Sequence, residues 1–95
     1  MKMYEINWHW IREDQKMFSH CTIAPVTVLS TDGRGIIRVE DQGGIIWRGL
    51  VADFHMTESE AYAAARHEIE EAMNEEISRH NKSLEAMRAW LEANP

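Results

Sequence analysis

Three histidines and the single cysteine are the side chains of this sequence best suited to holding a metal ion. His9, His20, Cys21 and His55 lie in or beside segments with strand character, and pairing of the first two strands would bring His9 near Cys21. Their spacing matches none of the ligand patterns that hold structural zinc. The sequence therefore predicts scattered strand side chains, a small buried Cys21 and no metal site.

A second group of residues has the spacing of an acid–base pair. Glu76 and His80 lie one helical turn apart, but an exposed helical pair of this kind contributes only about 0.2–0.5 kcal/mol. The segments GRG and QGG are predicted as turns, because neither has the length or the helix context of a phosphate-binding loop. The sequence thus predicts no catalytic residue, no cofactor and no enzyme.

The whole chain has a net charge of −6 at pH 7, and its acidic residues concentrate in the C-terminal part. Residues 1–56 hold seven acids and six bases, whereas residues 57–95 hold nine acids and four bases. This balance argues against direct nucleic-acid binding, because phosphate neutralisation requires an excess of Lys and Arg. It suits a basic site on another protein; a solvated helix flank is the alternative. The acids predicted to make the contact are Glu70, Glu71, Glu75 and Glu76.

Three arginines, Arg34, Arg38 and Arg48, are predicted on one face of the sheet. They could meet an acidic partner, although Glu5 and Glu40 on the same face reduce the positive charge. A solvated face is an equally good interpretation.

The elements that position these residues follow from hydrophobic periodicity. The alternation in YEINWHWI is typical of a half-buried strand, and three further segments are rich in β-branched residues. Pro25 indicates an edge position or a bulge in the second strand. Tight turns through Asp32-Gly33 and Gln42-Gly43 join the later strands. The predicted strands cover about 3–11, 20–30, 35–40 and 44–54.

The turns also predict a register, with Val28 opposite Ile37, Val26 opposite Val39, Val39 near Ile45 and Ile37 near Trp47. One face is then apolar: Ala24, Val26, Val28, Ile37, Val39, Ile45, Trp47 and Val51, joined by Tyr4, Ile6, Trp8 and Trp10. The opposite face also carries large apolar residues: Ile23, Leu29, Ile36, Ile46, Leu50 and Phe54. Leaving each one exposed forfeits about 1.5–3 kcal/mol of burial, so we expect something to cover part of this second face.

A helix is predicted from about 58 to 80. Thr57 and Glu60 form a capping box, and an apolar stripe at helical spacing follows, which would lie on the core face of the sheet. The members of this stripe are Tyr62, Ala65, Ile69, Ala72 and Met73.

The polar stretch NEEISRHNKS, residues 74–83, leaves two interpretations open. Either one helix of about 36 residues runs about 54 Å, or the helix ends near 79–81 and Ser83 caps a terminal helix over about 83–93. The break is favoured, because a polar gap flanked by Asn and Ser is typical of a stop and restart. In both cases the terminal segment has an apolar side that must fold onto the second face of the sheet, pair with a second copy or bind a partner. That side consists of Leu84, Met87, Trp90 and Leu91. Together with the acidic helix flank, it is predicted to make the contact with a partner protein.

Taken together, the 95 residues predict a single α+β domain. It is a four-stranded antiparallel β-meander with one long C-terminal helix packed on one face and a short terminal helix or helical extension. No apolar run reaches the roughly 18 residues of a membrane span, and the N-terminus MKMYEINWHW has no signal-peptide pattern. One cysteine fits a reducing compartment, so we expect a cytoplasmic protein.

The run WRGLVADFHMTESEAYAAARHEIEEA leads from the last strand through the capping box into an Ala-rich helix. It resembles the strand-to-helix end of small phage-encoded proteins, including anti-CRISPR proteins built from a sheet and a helix. This resemblance implies a non-enzymatic accessory protein of a phage or mobile element that inhibits a host protein or defence complex by occupying its surface. It also implies that the acidic surface meets a basic, nucleic-acid-binding surface of that host complex. The run is also similar to the HicB-type antitoxin domain, which implies the alternative of a homodimeric structural or antitoxin-like module. The Gly-Tyr strand and Pro-Gly turn of HicB are missing, and no functional residue carries over from either family.

Overall fold

The computed structural model describes residues 1–12, 17–75 and 81–95. It confirms the α+β class and the antiparallel sheet, which has five strands in the order β4-β3-β2-β1-β5. The chain divides into two compact units. The first unit comprises residues 1–6 and 23–61, and the second comprises residues 7–22 and 62–95. None of the helices described is long and apolar enough to cross a membrane. The elements are β1 (Lys2–Arg12), β2 (Met17–Thr31), β3 (Ile36–Glu40), β4 (Ile46–Leu50), a 3₁₀ helix (Val51–Asp53), β5 (Phe54–His55), α1 (Glu58–Glu75) and α2 (Asn81–Ala93).

The predicted meander is confirmed for β1 to β4, but the fourth predicted strand, 44–54, is wrong. That segment divides into β4, the 3₁₀ helix and β5, and β5 pairs with β1 at the opposite edge of the sheet. Four strand spacings of a flat sheet measure about 19 Å, whereas the chain from Leu50 to Phe54 reaches at most about 14 Å. The sheet of the first unit must therefore curl, so that its two edge strands approach each other.

The curled sheet of the first unit encloses a small apolar core. Its buried members are Met3, Val26, Ile37, Val39 and Phe54, with Val28 and Trp47 packed against them. The predicted core face is thus confirmed along β2, β3 and β4. It is wrong for Trp10, Ile45 and Val51, which are 38%, 64% and 43% exposed. It is also wrong for Phe54, which was expected on the opposite face and is buried in the core.

The predicted register is displaced by two residues. Val39, expected opposite Val26 and Ile45, pairs with Val28 and Trp47. The register differs because both turns are longer than the two residues predicted. In each turn, an aspartate side chain closes the longer loop. Asp32 Oδ1 accepts hydrogen bonds from the amides of Arg34 (2.7 Å) and Ile36 (3.1 Å).

The second turn repeats this construction. Asp41 Oδ1 accepts from the amides of Gly43 (2.9 Å) and Ile45 (3.1 Å). The fourth residue of each turn, Gly35 or Gly44, has a φ of 96° or 78°, a conformation that favours glycine. Both turns therefore read D-x-x-G, longer than two residues, and each moves the strand register.

Pro25 does not mark an edge strand, because β2 lies between β1 and β3 in the sheet. The pairing of β2 with β3 is irregular between Val28 and Ser30. One extra residue on β2, Leu29, is accommodated there as in a β-bulge. This bulge keeps Val28 on the core face although the turn is longer than predicted.

Helix α1 begins as its capping residues predict. Thr57 Oγ1 accepts a hydrogen bond from the amide of Glu60 at 3.1 Å, which satisfies one of the free amides of the first turn. The stripe is confirmed at its centre, where Ala65 and Ile69 are buried. The helix is described to Glu75; the rest of the predicted span, 76–80, lies outside the described residues.

Helix α2 starts at Asn81, so the prediction that Ser83 is its cap is wrong. Ser83 is fully buried within the first turn, and its hydroxyl accepts a hydrogen bond from the amide of Phe18 at 2.9 Å. The rings of Tyr62 and Trp90 stack with centroids 6.2 Å apart. The end of α2 therefore lies beside the start of α1, and the alternative of one helix of about 36 residues is wrong.

Candidate functional site

The apolar side of α2 was predicted to need a partner, and the structure buries it within the chain. Leu84, Met87 and Trp90 are 9%, 4% and 7% exposed, and Leu91 is half-buried. The indole Nε1 of Trp90 donates a hydrogen bond to the carbonyl oxygen of Cys21 at 2.8 Å. The apolar side of α2 therefore packs within the chain, beside β2 and α1. These side chains consequently offer little surface to a partner.

Arg66 fastens α1 to the C-terminus of α2, next to Trp90. Its Nη1 donates to the carbonyl oxygens of Leu91 (3.0 Å) and Asn94 (2.7 Å). These are carbonyls at the C-terminus of α2, where a cation also interacts favourably with the helix dipole. The contact is structural, since the guanidinium satisfies backbone groups of its own chain.

Cys21 is buried, as predicted, with 5% of its surface exposed. Burial, and secondarily the negative charge of Glu68, raises the pKa of its thiol from 9.0 to about 12. The reactive form of cysteine is the thiolate. The Cys21 thiol therefore stays protonated and unreactive at neutral pH.

This burial predicts protection from alkylation. At pH 7.5 a rise of three pKa units lowers the thiolate fraction about a thousandfold, so iodoacetamide should modify the native protein at least a hundredfold more slowly than the protein in denaturant. Because the folded-state pKa is raised, the thiol's contribution to stability is complete below pH 9 and is lost as the pH rises from about 9 to about 12. Mass spectrometry of timed aliquots measures the rate. Equal rates in both states would contradict a buried thiol, with Cys21→Ser as the control for modification elsewhere.

The histidines do not gather around the cysteine. The rings of His9 and His20 stack with centroids 4.4 Å apart and planes 10° apart, and Thr22 Oγ1 lies 3.5 Å from His9 Nε2. His55 belongs to the other unit. Within residues 1–12, 17–75 and 81–95, no three or more His, Cys, Asp or Glu residues form a group that could hold a metal ion.

The acidic flank of α1 is exposed where it is described. The carboxylates of Glu70 and Glu71 are 54% and 65% exposed, and they pair with Arg66 (3.2 Å) and His67 (3.0 Å) four residues earlier. Exposed pairs of this type stabilise a helix by about 0.3–0.5 kcal/mol. Glu75 is the last described residue of the helix, and Glu76 lies outside the described residues. Contact of this flank with a basic partner stays a prediction.

A different surface lies on the outer side of the β3–β4 hairpin, and we refer to it as the β4 face. Side chains alternate across the hairpin, so that Ile37, Val39 and Trp47 face the core while the intervening residues face outward. The outward residues form three cross-strand pairs: Ile36 with Leu50, Arg38 with Arg48, and Glu40 with Ile46.

Two aliphatic side chains of the β4 face are at least half exposed to solvent. Ile46 and Leu50 are 50% and 54% exposed, and Leu29, on β2 next to the β3–β4 hairpin, is 44% exposed. Nothing in the described part of the chain covers them, contrary to the expectation of a covered second face. Apolar groups of this size favour burial by about 1.5–3 kcal/mol each, so a contacting protein would gain free energy by covering them.

Arg38 and Arg48 lie directly opposite each other between these aliphatic residues. Hydrogen bonds from Asp41 N to the Ile45 oxygen and from Val51 N to the Gly35 oxygen set the bonding phase of the hairpin. By alternation the arginines form a non-hydrogen-bonded pair, in which the Cα atoms are about 4.5 Å apart. Like charges so placed repel, and neither guanidinium forms an ion pair with a described residue.

The two arginines line an open cavity of about 160 Å³ together with Ser30, Thr31, Asp32 and Ile36. Asp32 is the one acid of the lining, and its Oδ1 already accepts two backbone amides. The lining therefore has a net charge of +1 within a chain of net −6. Two guanidinium groups and two hydroxyls give it the hydrogen-bond donors that an oxyanion needs.

Comparison with protein-family models, with curated proteins and with solved structures found no match for this chain.

Proposed function

We propose that this chain is a non-enzymatic protein-binding module and that the β4 face makes the contact with its partner. One observation carries the proposal: two opposed arginines without an ion pair to the described residues are flanked by the exposed side chains of Ile46 and Leu50. Arginine is enriched at protein interfaces, and the two aliphatic side chains add exposed apolar surface on either side of the arginine pair. A partner that brings anionic and apolar groups would relieve the repulsion and bury the aliphatic residues.

The biological role we propose is that of a small phage or mobile-element accessory protein that inhibits a host protein or defence complex by occupying its surface. The strand-to-helix segment that resembles small phage-encoded inhibitors supports this role. The exposed carboxylates of Glu70 and Glu71 support a second contact, to a basic surface of the same host complex. The cytoplasm is the proposed location, and neither nucleic acid nor a membrane is a proposed ligand.

The homodimeric, HicB-like alternative depended on pairing of α2 with its copy. Since the apolar side of α2 is buried within the chain, the surface that this alternative requires is already occupied. The β4 face is the stronger basis for a contact.

A comparative pull-down tests the proposed function. Immobilised wild-type protein and the double variant Arg38→Glu with Arg48→Glu are incubated with a lysate of the native host, and bound proteins are quantified by mass spectrometry. We expect at least one host protein to be recovered about tenfold less on the double variant, because reversing both charges replaces attraction by repulsion.

Two matched variants make this result specific. Arg88→Glu changes the charge in the same direction at an exposed position of α2 and should retain the partner. Glu70→Ala with Glu71→Ala tests the acidic flank separately. Equal recovery on wild type and on the Arg38, Arg48 variant, with unchanged melting temperatures, would contradict a binding role for the β4 face.

A further inference from the structure

The outer edge of β4 carries backbone groups that point away from the sheet. β4 is the last strand in the sheet order. The bonding phase set by the Asp41–Ile45 and Val51–Gly35 hydrogen bonds directs the N–H and C=O groups of every second residue away from β3. Those residues are Ile46, Arg48 and Leu50. In the described part of the chain no other strand pairs with this side of β4.

An open strand edge accepts an extended peptide as an additional strand. Main-chain hydrogen bonds then supply affinity, and alternate side chains supply specificity. Proteins usually protect such edges with charged residues, bulges or a covering element. β4 carries one charge at its centre, Arg48, between two residues that are at least half exposed, Ile46 and Leu50. Arg48 therefore disfavours an added strand with a positive or an apolar side chain at its centre, but it does not disfavour one with an acidic side chain there.

The three outward side chains define what the added strand must carry. In antiparallel or parallel addition, side chains two residues apart on the new strand share the face of Ile46, Arg48 and Leu50. The best complement is apolar at the ends and acidic at the centre. A central carboxylate would lie beside Arg48 and the cavity that Arg38 also lines, where charge-assisted hydrogen bonds are available.

We propose that the β4 edge binds an extended acidic segment of a partner protein, with an apolar–x–acidic–x–apolar pattern, by strand addition. This inference rests on the proposed protein-binding function and names the chemistry of its ligand. The net charge of −6 repels acidic peptides in general, so binding of such a segment depends on the local arginine pair. The carboxylate compensates the repulsion between Arg38 and Arg48, and the two apolar residues cover Ile46 and Leu50.

The test uses a synthetic peptide, acetyl-Thr-Leu-Thr-Glu-Thr-Leu-Thr-amide, titrated into ¹⁵N-labelled protein and followed by NMR. We expect the amide signals of Ile46, Arg48 and Leu50 to shift most and their hydrogen exchange to slow, because those amides gain partners. The same peptide with Gln in place of Glu should bind about tenfold more weakly, since it lacks the charge.

Protein variants separate the charge effect from a loss of folding. Arg48→Gln should weaken binding of the Glu peptide about tenfold and bring it level with the Gln peptide, whereas Arg88→Gln should leave both affinities unchanged. Melting temperatures and the remaining amide signals report whether each variant is folded. A smaller loss is expected for Arg38→Gln, because Arg38 lies one strand further from the edge.

Other outcomes overturn the inference. Equal affinity for the Glu and Gln peptides, or shifts confined to residues outside β4 and β3, would show that no acidic strand is recognised at this edge. If only a peptide with phosphoserine in place of the glutamate binds, the proposed carboxylate ligand is wrong, and the edge recognises a phosphorylated segment instead. If no peptide binds while the host partner in the pull-down still depends on Arg38 and Arg48, strand addition is wrong and the protein-binding function stands. If that dependence is also missing, both fail.

Discussion

Replacing Trp90 with alanine should lower the free energy of unfolding by about 3–5 kcal/mol, the usual cost of truncating a large buried aromatic residue. Trp90 is 7% exposed, its ring stacks on Tyr62, and its indole N–H satisfies the carbonyl of Cys21. The substitution therefore removes apolar contacts and leaves a buried acceptor without its donor. Since a small domain has about 5–15 kcal/mol of stability in total, α2 should lose much of its anchoring.

Chemical denaturation followed by circular dichroism measures this loss. Trp90→Phe keeps an aromatic ring but removes the donor, so it should cost less, about 1–3 kcal/mol. The matched control is Trp10→Ala, at a tryptophan that is 38% exposed and should matter much less. If the Trp90 and Trp10 variants lose equal stability, α2 is not held to the chain as described.

The burial of α2 also shows where reasoning from sequence reached its limit. Helical spacing correctly predicts which side of the terminal segment is apolar, because spacing is a local property. The surface that this side meets depends on contacts between residues far apart in sequence. The Trp90 indole donates a hydrogen bond to the carbonyl of Cys21, 69 positions away. The Ser83 hydroxyl accepts one from the amide of Phe18, 65 positions away. No local pattern encodes either distance.

The turns account for the second limit. Alternation correctly assigns the faces of β3 and β4, including the shared face of Arg38 and Arg48. The D-x-x-G turns displace the register by two residues, a shift that preserves faces but changes neighbours. In the predicted register Arg38 lies opposite Ile46, whereas in the structure it lies opposite Arg48. The arginine pair that defines the candidate site thus depends on two aspartate side chains in the turns.

The repeated turn motif was visible in the sequence as DGRGI and DQGGI. Reading the aspartate as a side-chain acceptor for amides two and four residues later would have predicted the longer turns. The curl of the sheet had no such local signal, because it follows from the pairing of β5 with β1.

Gly49→Ala should destabilise the first unit by about 1–3 kcal/mol through overpacking. A Cβ at this position would lie 2.8 Å from Phe54 Cε2 and 3.0 Å from Trp47 Cζ3, closer than carbon atoms approach. The rings of Phe54 and Trp47 contact each other with centroids 5.5 Å apart. Phe54 is also buried in the core, so neither ring can move freely. The absent side chain of Gly49 is what lets Phe54 close over β4 as the sheet curls.

Gly43→Ala is the matched control for this prediction. Its added Cβ would lie 3.4 Å from Asp41 Oδ1, an ordinary contact, so its melting temperature should stay near that of the wild type. Combining Gly49→Ala with Phe54→Leu should cost less than the sum of the two single changes, because the smaller side chain relieves the overlap. Thermal melts of the four variants measure both effects. A Gly49→Ala protein as stable as Gly43→Ala would mean that Phe54 does not pack on β4. The short connection from β4 to β5 would then need a different route, and the curled sheet that presents the β4 face would have to be redrawn.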